Sequence, residues 1–393
     1  MNAKKAVTLH LNNSKDNMAT LTSIITAQQV EAANLLIQQS TRIVILTHMS
    51  PDGDAMGSSL AMRHFLEAQG KQVAVIVPNA FPDFLAWLPK ANEDFIYETQ
   101  RVESDKLLEQ ADLVICTDFN DSKRIGSLGN KLLTLSCKKM MIDHHLHPAD
   151  FADLVISYPS IPSTCELVYR LITSLSPNSL TGTSPITHNP QSGCPINITP
   201  SHIQDIATCI YTGMMTDTGN FSFNSNYPEM YDIVGQLVSL GVNKDAIYNR
   251  VFNAYSADRM RLMGYCLYQK MQIFPEYHTA LIYLSRKELY RFNFQSGDAE
   301  GIVNLPLQIK DIHYSCFMRE DKVNPTEVAL AGGSKTKIKI SLRSQGDRPV
   351  NTFAHDIFGG GGHANASGGE YYGPLPEAVQ RFLENYQDYF NIP

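Results

Sequence analysis

Read along the chain, the hydrophobic positions fall into two kinds of run. Short, continuous apolar stretches at 42–47, 71–77, 113–117 and 139–142 have the composition of strands buried on both faces, as in a parallel sheet. Segments with helical apolar spacing lie between and around them, at 30–39, 57–68 and 167–174. The second ends at Gly70, a helix stop, and the third follows Ser163-Thr164-Cys165-Glu166, which has the form of a capping box. Helices alternating with apolar strands predict an α/β fold with a doubly wound, mainly parallel sheet. Helical spacing resumes over 202–214, 227–240 and 244–271. From about 278 the pattern changes: strands at 279–284 and 338–342, a turn near Gly346, a glycine run at 359–362 and an amphipathic helix over 376–389. This predicts a smaller α+β domain. The expected organisation is a tail over 1–28, a first domain over 29–243, a helical linker over 244–277 and a second domain over 278–393. Residues 177–200, rich in Ser, Thr, Pro, Asn and Gly, read as an inserted surface loop, and 324–335 as a second loop.

Composition refines this picture only slightly. The 393 residues are 43% hydrophobic and 18% charged, enough for two domains with ordinary cores. No apolar run has transmembrane length and the first 27 residues lack a signal-peptide core, so no membrane association is expected. Seven scattered cysteines without a C-x-x-C pair suggest neither a disulfide framework nor a zinc ribbon, and point to a reduced, cytoplasmic protein. The net charge of −7 disfavours a protein that grips long nucleic acid; a polyanionic substrate would be short and locally held.

Chemistry concentrates in four segments: Thr47-His48-Met49-Ser50-Pro51-Asp52-Gly53-Asp54, Cys116-Thr117-Asp118, Asp143-His144-His145 and Thr216-Asp217-Thr218. The first three follow predicted strands, and open α/β sheets gather ligand-binding groups at the carboxyl ends of their strands. Carboxylates with a few imidazoles and no thiolate suit Mn²⁺ or Mg²⁺. Two such ions, about 3.5–4 Å apart, activate water and stabilise both oxygens of an in-line displacement at phosphorus. Asp52 and Asp54, two apart on one loop, could serve different ions, and Asp118, alone at a strand end, is a natural bridge. His144 and Asp217 could complete one shell, and His48 the other.

These segments resemble the motifs of the DHH phosphoesterase superfamily, which is named for the triad standing here as Asp143-His144-His145. The same resemblance covers 48–58, Asp118-Phe119-Asn120 and 213–221, while Gly359 to Gly369 resembles the domain that commonly follows in that superfamily. The wording is closest to the nanoRNase and phosphoadenosine-phosphate phosphatase group. That resemblance implies two Mn²⁺ ions, with Mg²⁺ or Co²⁺ as substitutes. His48, Asp52 and Asp118 would hold one ion, and Asp54, Asp118, His144 and Asp217 the other. It places Asp118 and His145 in catalysis, with His145 beside the scissile phosphate. Arg343, Gly360, Gly361, Gly362, His363 and Ser367 would bind substrate, the glycines by presenting backbone N–H groups. The active site would lie in the cleft between the domains. The implied substrates are short RNA, releasing mononucleotides, and 3′-phosphoadenosine 5′-phosphate, releasing AMP. A homodimer is compatible with the group. Other readings are an exopolyphosphatase, a linear-dinucleotide phosphodiesterase, a single-strand exonuclease of RecJ type and, from another class, a non-catalytic nucleotide-binding regulator. Ser163, Thr164 and Glu166 read as structural.

Overall fold

Two six-stranded sheets organise the chain, each built on apolar segments that its own helices cover. The computed structural model describes residues 23–177, 180, 199–295, 297–323, 334 and 336–390. The expected tail over 1–28 lies largely outside the described residues, as do almost all of the 177–200 and 324–335 loops.

In chain order the first half runs α1 (Ala27–Gln39), β1 (Arg42–Leu46), α2 (Gly53–Glu67), β2 (Gln72–Val77), β3 (Phe95–Ile96), α3 (Arg101–Gln110), β4 (Leu113–Thr117), α4 (Ser127–Thr134), β5 (Lys138–Asp143), β6 (Leu154–Ser157), α5 (Thr164–Leu175) and α6 (Pro200–Asp217). Its sheet is parallel throughout, in the order β3-β2-β1-β4-β5-β6. This is the doubly wound arrangement predicted above, and the strand order reverses between β1 and β4, where such sheets bind ligands. The strands are apolar because both faces are covered: Ile43 and Ile45 of β1 pack in one core cluster, Val44 and Leu46 in the opposite one. The edge strands β3 and β6 escaped the sequence reading because they are short and only partly buried.

Helix α2 begins at Gly53, not 57. The Asp52 carboxylate Oδ1 accepts from the N–H groups of Asp54 and Ala55, both at 3.0 Å, so Asp52 is the N-cap and Asp54 sits in the first turn. The Pro-Asp-Gly-Asp stretch, read as a loop from its turn-forming residues, is therefore a helix start. Residues 53–66 of α2 are all buried, which leaves it no polar face. It packs against α5 and α6 through bare backbone. A Cβ on Gly57 would approach the Cys209 carbonyl to 2.5 Å, and one on Gly213 would approach Cys165 Sγ to 2.1 Å and Asp54 Oδ1 to 2.8 Å. Gly213→Ala is accordingly expected to cost about 1–3 kcal/mol of stability, read as a lower urea midpoint, and to weaken divalent-cation binding by displacing Asp54.

The second half runs α7 (Pro228–Ser239), α8 (Lys244–Phe252), α9 (Ala257–Tyr265), a π-helical turn (Cys266–Lys270), β7 (Gln272–Phe274), β8 (Thr279–Leu284), α10 (Arg286–Arg291), β9 (Tyr314–Lys322), β10 (Thr336–Ser344), α11 (Asn351–Phe358), β11 (Gly361–His363), β12 (Ala366–Tyr372) and α12 (Leu375–Tyr389). The expected continuous helix over 244–271 is broken after Phe252, and Ser256 caps α9 through the Arg259 N–H at 3.0 Å. The second sheet is mixed, ordered β11-β12-β10-β9-β8-β7, with only β8 and β9 parallel. Its back face packs under α11 and α12 around Ile338, Ile340, Leu342, Phe353 and Phe382. Among the described residues no helix is long and apolar enough to cross a membrane.

Candidate metal centre

Each functional side chain is set by the element that ends or begins beside it. His48 follows β1, Asp52 and Asp54 open α2, Asp118 follows β4, His144 and His145 follow β5, and Asp217 ends α6. Asp118 holds a left-handed backbone, φ 63°, a conformation uncommon for residues other than glycine, and its N–H donates to the Ile142 carbonyl at 3.0 Å. The turn aims its carboxylate into the centre. Such local strain persists only where the surroundings enforce it.

The two Asp118 oxygens face different groups. Oδ2 lies 3.3 Å from His48 Nε2, which is also 3.8 Å from Asp52 Oδ2. Oδ1 lies 3.5 Å from His144 Nε2, itself 3.8 Å from Asp54 Oδ2 and 3.3 Å from Asp217 Oδ2. His48, Asp52 and Asp118 thus form one ligand-like group, and Asp54, Asp118 and His144 another, with the donor atoms of each within 4.8 Å of one another. Both imidazoles present Nε2 because Nδ1 faces a backbone carbonyl: Met49 O at 2.9 Å for His48 and Ile161 O at 3.0 Å for His144. A carbonyl accepts only from Nδ1–H, so each Nε2 is left pointing at the carboxylates. These, Asp118 first, overcome burial and raise the pKa of both rings, and loss of the Nε2 proton to a bound cation would free the lone pair.

The donor set fits two divalent cations. Among the described residues, the ion-pair partners of these carboxylates are imidazoles, not lysine or arginine. Burial, with the charges of Asp118 and Asp217, holds the Asp54 carboxyl well above its ordinary range. Burial also pushes Asp217 up to about 7, with Asp52 and Asp118 adding to the shift. Asp118 resists its own burial and stays well below the usual range, held there by His144 and His48. An acidic cluster so poorly neutralised from within is suited to cations.

Asp143 lies beside Asp118, their carboxylates and the His145 ring bringing donor atoms within 4.8 Å of one another, and its hydrogen bonds serve its neighbour. Its Oδ1 accepts from His145 Nδ1 at 2.7 Å and its Oδ2 from the His145 backbone N–H at 2.8 Å. From the second sheet, the His363 ring lies 4.5 Å from His145 and 4.7 Å from His144, centroid to centroid. Burial and these two histidines pull His363 down to about 3, so its ring is neutral near pH 7. Arg343, on β10, interacts electrostatically with Asp217, Glu300 and Asp52. The centre therefore lies between the two sheets' halves of the chain.

The glycine run, expected to present backbone N–H groups to substrate, is structured from end to end. Gly359 ends α11, the Gly360 N–H donates to Ala354 O at 2.9 Å, and Gly361 and Gly362 lie in edge strand β11, paired with Gly368 and Ser367. Their glycine identity has a packing cause, since a Cβ on Gly360 would approach Gly368 O to 1.9 Å. Ser367 donates to His363 O at 2.7 Å, closing the hairpin that carries His363.

Two contributors were missed in the sequence. The Thr164 hydroxyl donates to Asp118 Oδ1 at 2.8 Å, and the N–H groups of Thr164 and Cys165 donate to the Asp54 carboxylate at 2.6 and 2.9 Å. The N-terminus of α5 is thus a clamp on the Asp54 and Asp118 carboxylates. The capping box is only half formed: Ser163 Oγ accepts from the Glu166 N–H at 3.2 Å, but the Glu166 carboxylate turns to Arg170 and Tyr227. Arg124, whose charge acts on His48, His145 and His363, is the second. Thr164→Val is expected to weaken Mn²⁺ binding about 10–100-fold by calorimetry, with Thr164→Ser near wild type.

Comparisons with known proteins agree with this geometry. Residues 42–214 match the model of the DHH family, N-terminal domain, and residues 285–391 that of the DHHA1 domain. The chain is similar to a crystallised exopolyphosphatase-related protein from Bacteroides fragilis, at 44% identity and a TM-score of 0.79, covering 94% of this chain and 98% of that one. It is 28% identical over 343 residues to the bifunctional oligoribonuclease and PAP phosphatase NrnA of Thermus thermophilus, covering 87% of this chain and 88% of the relative. Its identity to the Bacillus subtilis protein of the same name is 22% over 331 residues, covering 84% and 89%.

Proposed function

The chain belongs to the DHH family of phosphoester hydrolases, and we propose that it is a Mn²⁺-dependent enzyme that cleaves short oligoribonucleotides to mononucleotides and 3′-phosphoadenosine 5′-phosphate to AMP. The observation that carries the reading is the division of Asp118, with one oxygen toward His48 and Asp52 and the other toward His144, Asp54 and Asp217. His48, Asp52 and Asp118 would hold one ion, and Asp54, Asp118, His144 and Asp217 the second. Bound there, the pair would supply Lewis acidity at the phosphoryl oxygens and a water of lowered pKa.

The chain's own groups do the rest. Arg343 pairs with a phosphate entering from the cleft, a task for which a guanidinium fork is shaped. Asp143 fixes the His145 ring with Nδ1–H toward its carboxylate, leaving Nε2 for the substrate. Burial lowers the His145 pKa, so the free ring is neutral near pH 7. A phosphate beside it favours the imidazolium, which then donates a proton to the leaving oxygen. The neutral His363 ring, stacked on His145, excludes water from that side.

The test is a panel of phosphoadenosine phosphate, pentaribonucleotide, long RNA and tripolyphosphate, incubated with the purified protein and Mn²⁺. Rapid turnover of the first two, with long RNA spared, is the expected result. Turnover of tripolyphosphate alone would move the assignment to polyphosphate, and binding of nucleotides without any turnover to a non-catalytic role.

A further inference from the structure

Cations on the second sheet extend well beyond Arg343. Side chains alternate along a strand, so Lys339, Ser341 and Arg343 share one face of β10 while Ile338, Ile340 and Leu342 fill the core behind it. The register pairs Ser315 of β9 with Arg343, and Arg319 with Lys339. Arg319 therefore lies on the same face as Arg343, about 13 Å further along the strand. The Arg343 end looks at Asp217 and Asp52 of the metal centre. The Arg319 end opens into a cavity of about 390 Å³ whose lining includes Arg286, Tyr290, Phe294, Gln295 and Lys322.

The chemistry of this cavity is mixed in an informative way. The Arg319 guanidinium lies 5.3 Å from the centre of the Phe294 ring, and its Nη1 is 3.3 Å from Asp321 Oδ2. Lys339 Nζ approaches the same carboxylate oxygen at 3.7 Å, so one acid is shared by two cations. Glu320 accepts the Arg286 backbone N–H at 2.6 Å. Arg286 and Lys322 add positive charge at the rim of a chain whose total is negative. The Tyr290 ring is 86% exposed there, though most aromatic rings of this size are substantially covered. Two aromatic rings with cations that only modestly outnumber the acids suit a nucleobase with one phosphate, and the two carboxylates disfavour a run of phosphates.

We propose that this cavity is a distal nucleotide subsite, which holds the base and phosphate of a residue downstream of the scissile bond in a single-stranded oligoribonucleotide. The proposal rests on the oligonucleotide reading of the metal centre and extends it. The strip from Arg343 past Lys339 to Arg319 is the path of the intervening backbone. A substrate with a single nucleoside, such as phosphoadenosine phosphate, cannot reach from the metals to the cavity; a pentaribonucleotide can. The subsite therefore sets length preference.

The deciding measurement compares Tyr290→Ala, Arg286→Ala and Tyr290→Phe with wild type, as the ratio of kcat/KM for a pentaribonucleotide to kcat/KM for phosphoadenosine phosphate. Loss of one stacking ring is expected to lower this ratio about tenfold in Tyr290→Ala, and Tyr290→Phe should restore it. Binding of a fluorescently labelled pentaribonucleotide to metal-free protein reads the same contact without turnover, and Arg286→Ala should reduce its salt dependence. An unchanged ratio with unchanged binding in both alanine variants overturns the subsite, as does failure of the wild type to bind the pentamer. Wild-type binding that the variants lose, without turnover of any nucleotide, would leave the subsite standing and remove the hydrolytic reading instead.

Discussion

Asp118→Asn is expected to lower phosphoesterase turnover by at least about 10³-fold and to reduce the stoichiometry of tight Mn²⁺ binding in calorimetry. Asp118 is the one side chain facing both ligand groups, at 3.3 Å from His48 and 3.5 Å from His144. An amide retains the shape but removes the charge and one acceptor oxygen, so neither group keeps its shared ligand. Loss of several kcal/mol of charge stabilisation at about 1.4 kcal/mol per decade gives the stated factor. The backbone is not disturbed, because asparagine tolerates φ 63° well; neutralising the side chain relieves repulsion on Asp54 but also removes the charge that His144 and His48 stabilise. The melting temperature of the metal-free protein should therefore fall by only a few degrees, with a cooperative transition retained, while activity disappears. Retention of turnover within tenfold of wild type would refute the shared-ligand assignment.

Much of this centre could be read from the sequence because strand ends are conspicuous. β1, β4 and β5 are buried on both faces, so their apolar runs stop abruptly at His48, Asp118 and Asp143. Asp54 reads from the sequence as a loop residue but lies in the first turn of α2, because the turn-forming character of Pro51 and Gly53 masks the capping role of Asp52. Thr164 was hidden for a different reason. Its sequence context fits a cap, and nothing local reveals that the helix it opens ends on carboxylates 46 and 110 residues away. The strand pairing of the glycine run was not legible because glycine carries no apolar pattern, whereas here Gly360 is required by the backbone crossing at Gly368. Strands β9 and β12 were missed because their front faces carry Arg319, Asp321 and Glu370, which break the apolar alternation.

His145→Gln is expected to reduce kcat about 10²–10⁴-fold while leaving Mn²⁺ affinity within a few-fold of wild type. The separation of the two readouts follows from geometry. His144 points Nε2 at Asp54, Asp118 and Asp217, at 3.3–3.8 Å, whereas His145 comes near them only through Nδ1, 3.8 Å from Asp118 Oδ1, and that nitrogen is committed to Asp143 at 2.7 Å. His145 is thus held by an acid outside the two ligand groups, and its loss removes no ligand from them. Glutamine keeps a polar end of similar reach but cannot shuttle a proton, so binding survives where chemistry fails. Asp143→Asn should lose rate by the same route, because an asparagine that offers N–H toward Nδ1 favours the opposite tautomer and turns the protonated nitrogen toward the cleft. A substrate carrying a better leaving group, such as a nitrophenyl phosphodiester, needs less protonation and should recover much of the lost rate in both variants. Equal losses on good and poor leaving groups would instead assign His145 to phosphate positioning, and a parallel loss of Mn²⁺ binding would place it among the ligands.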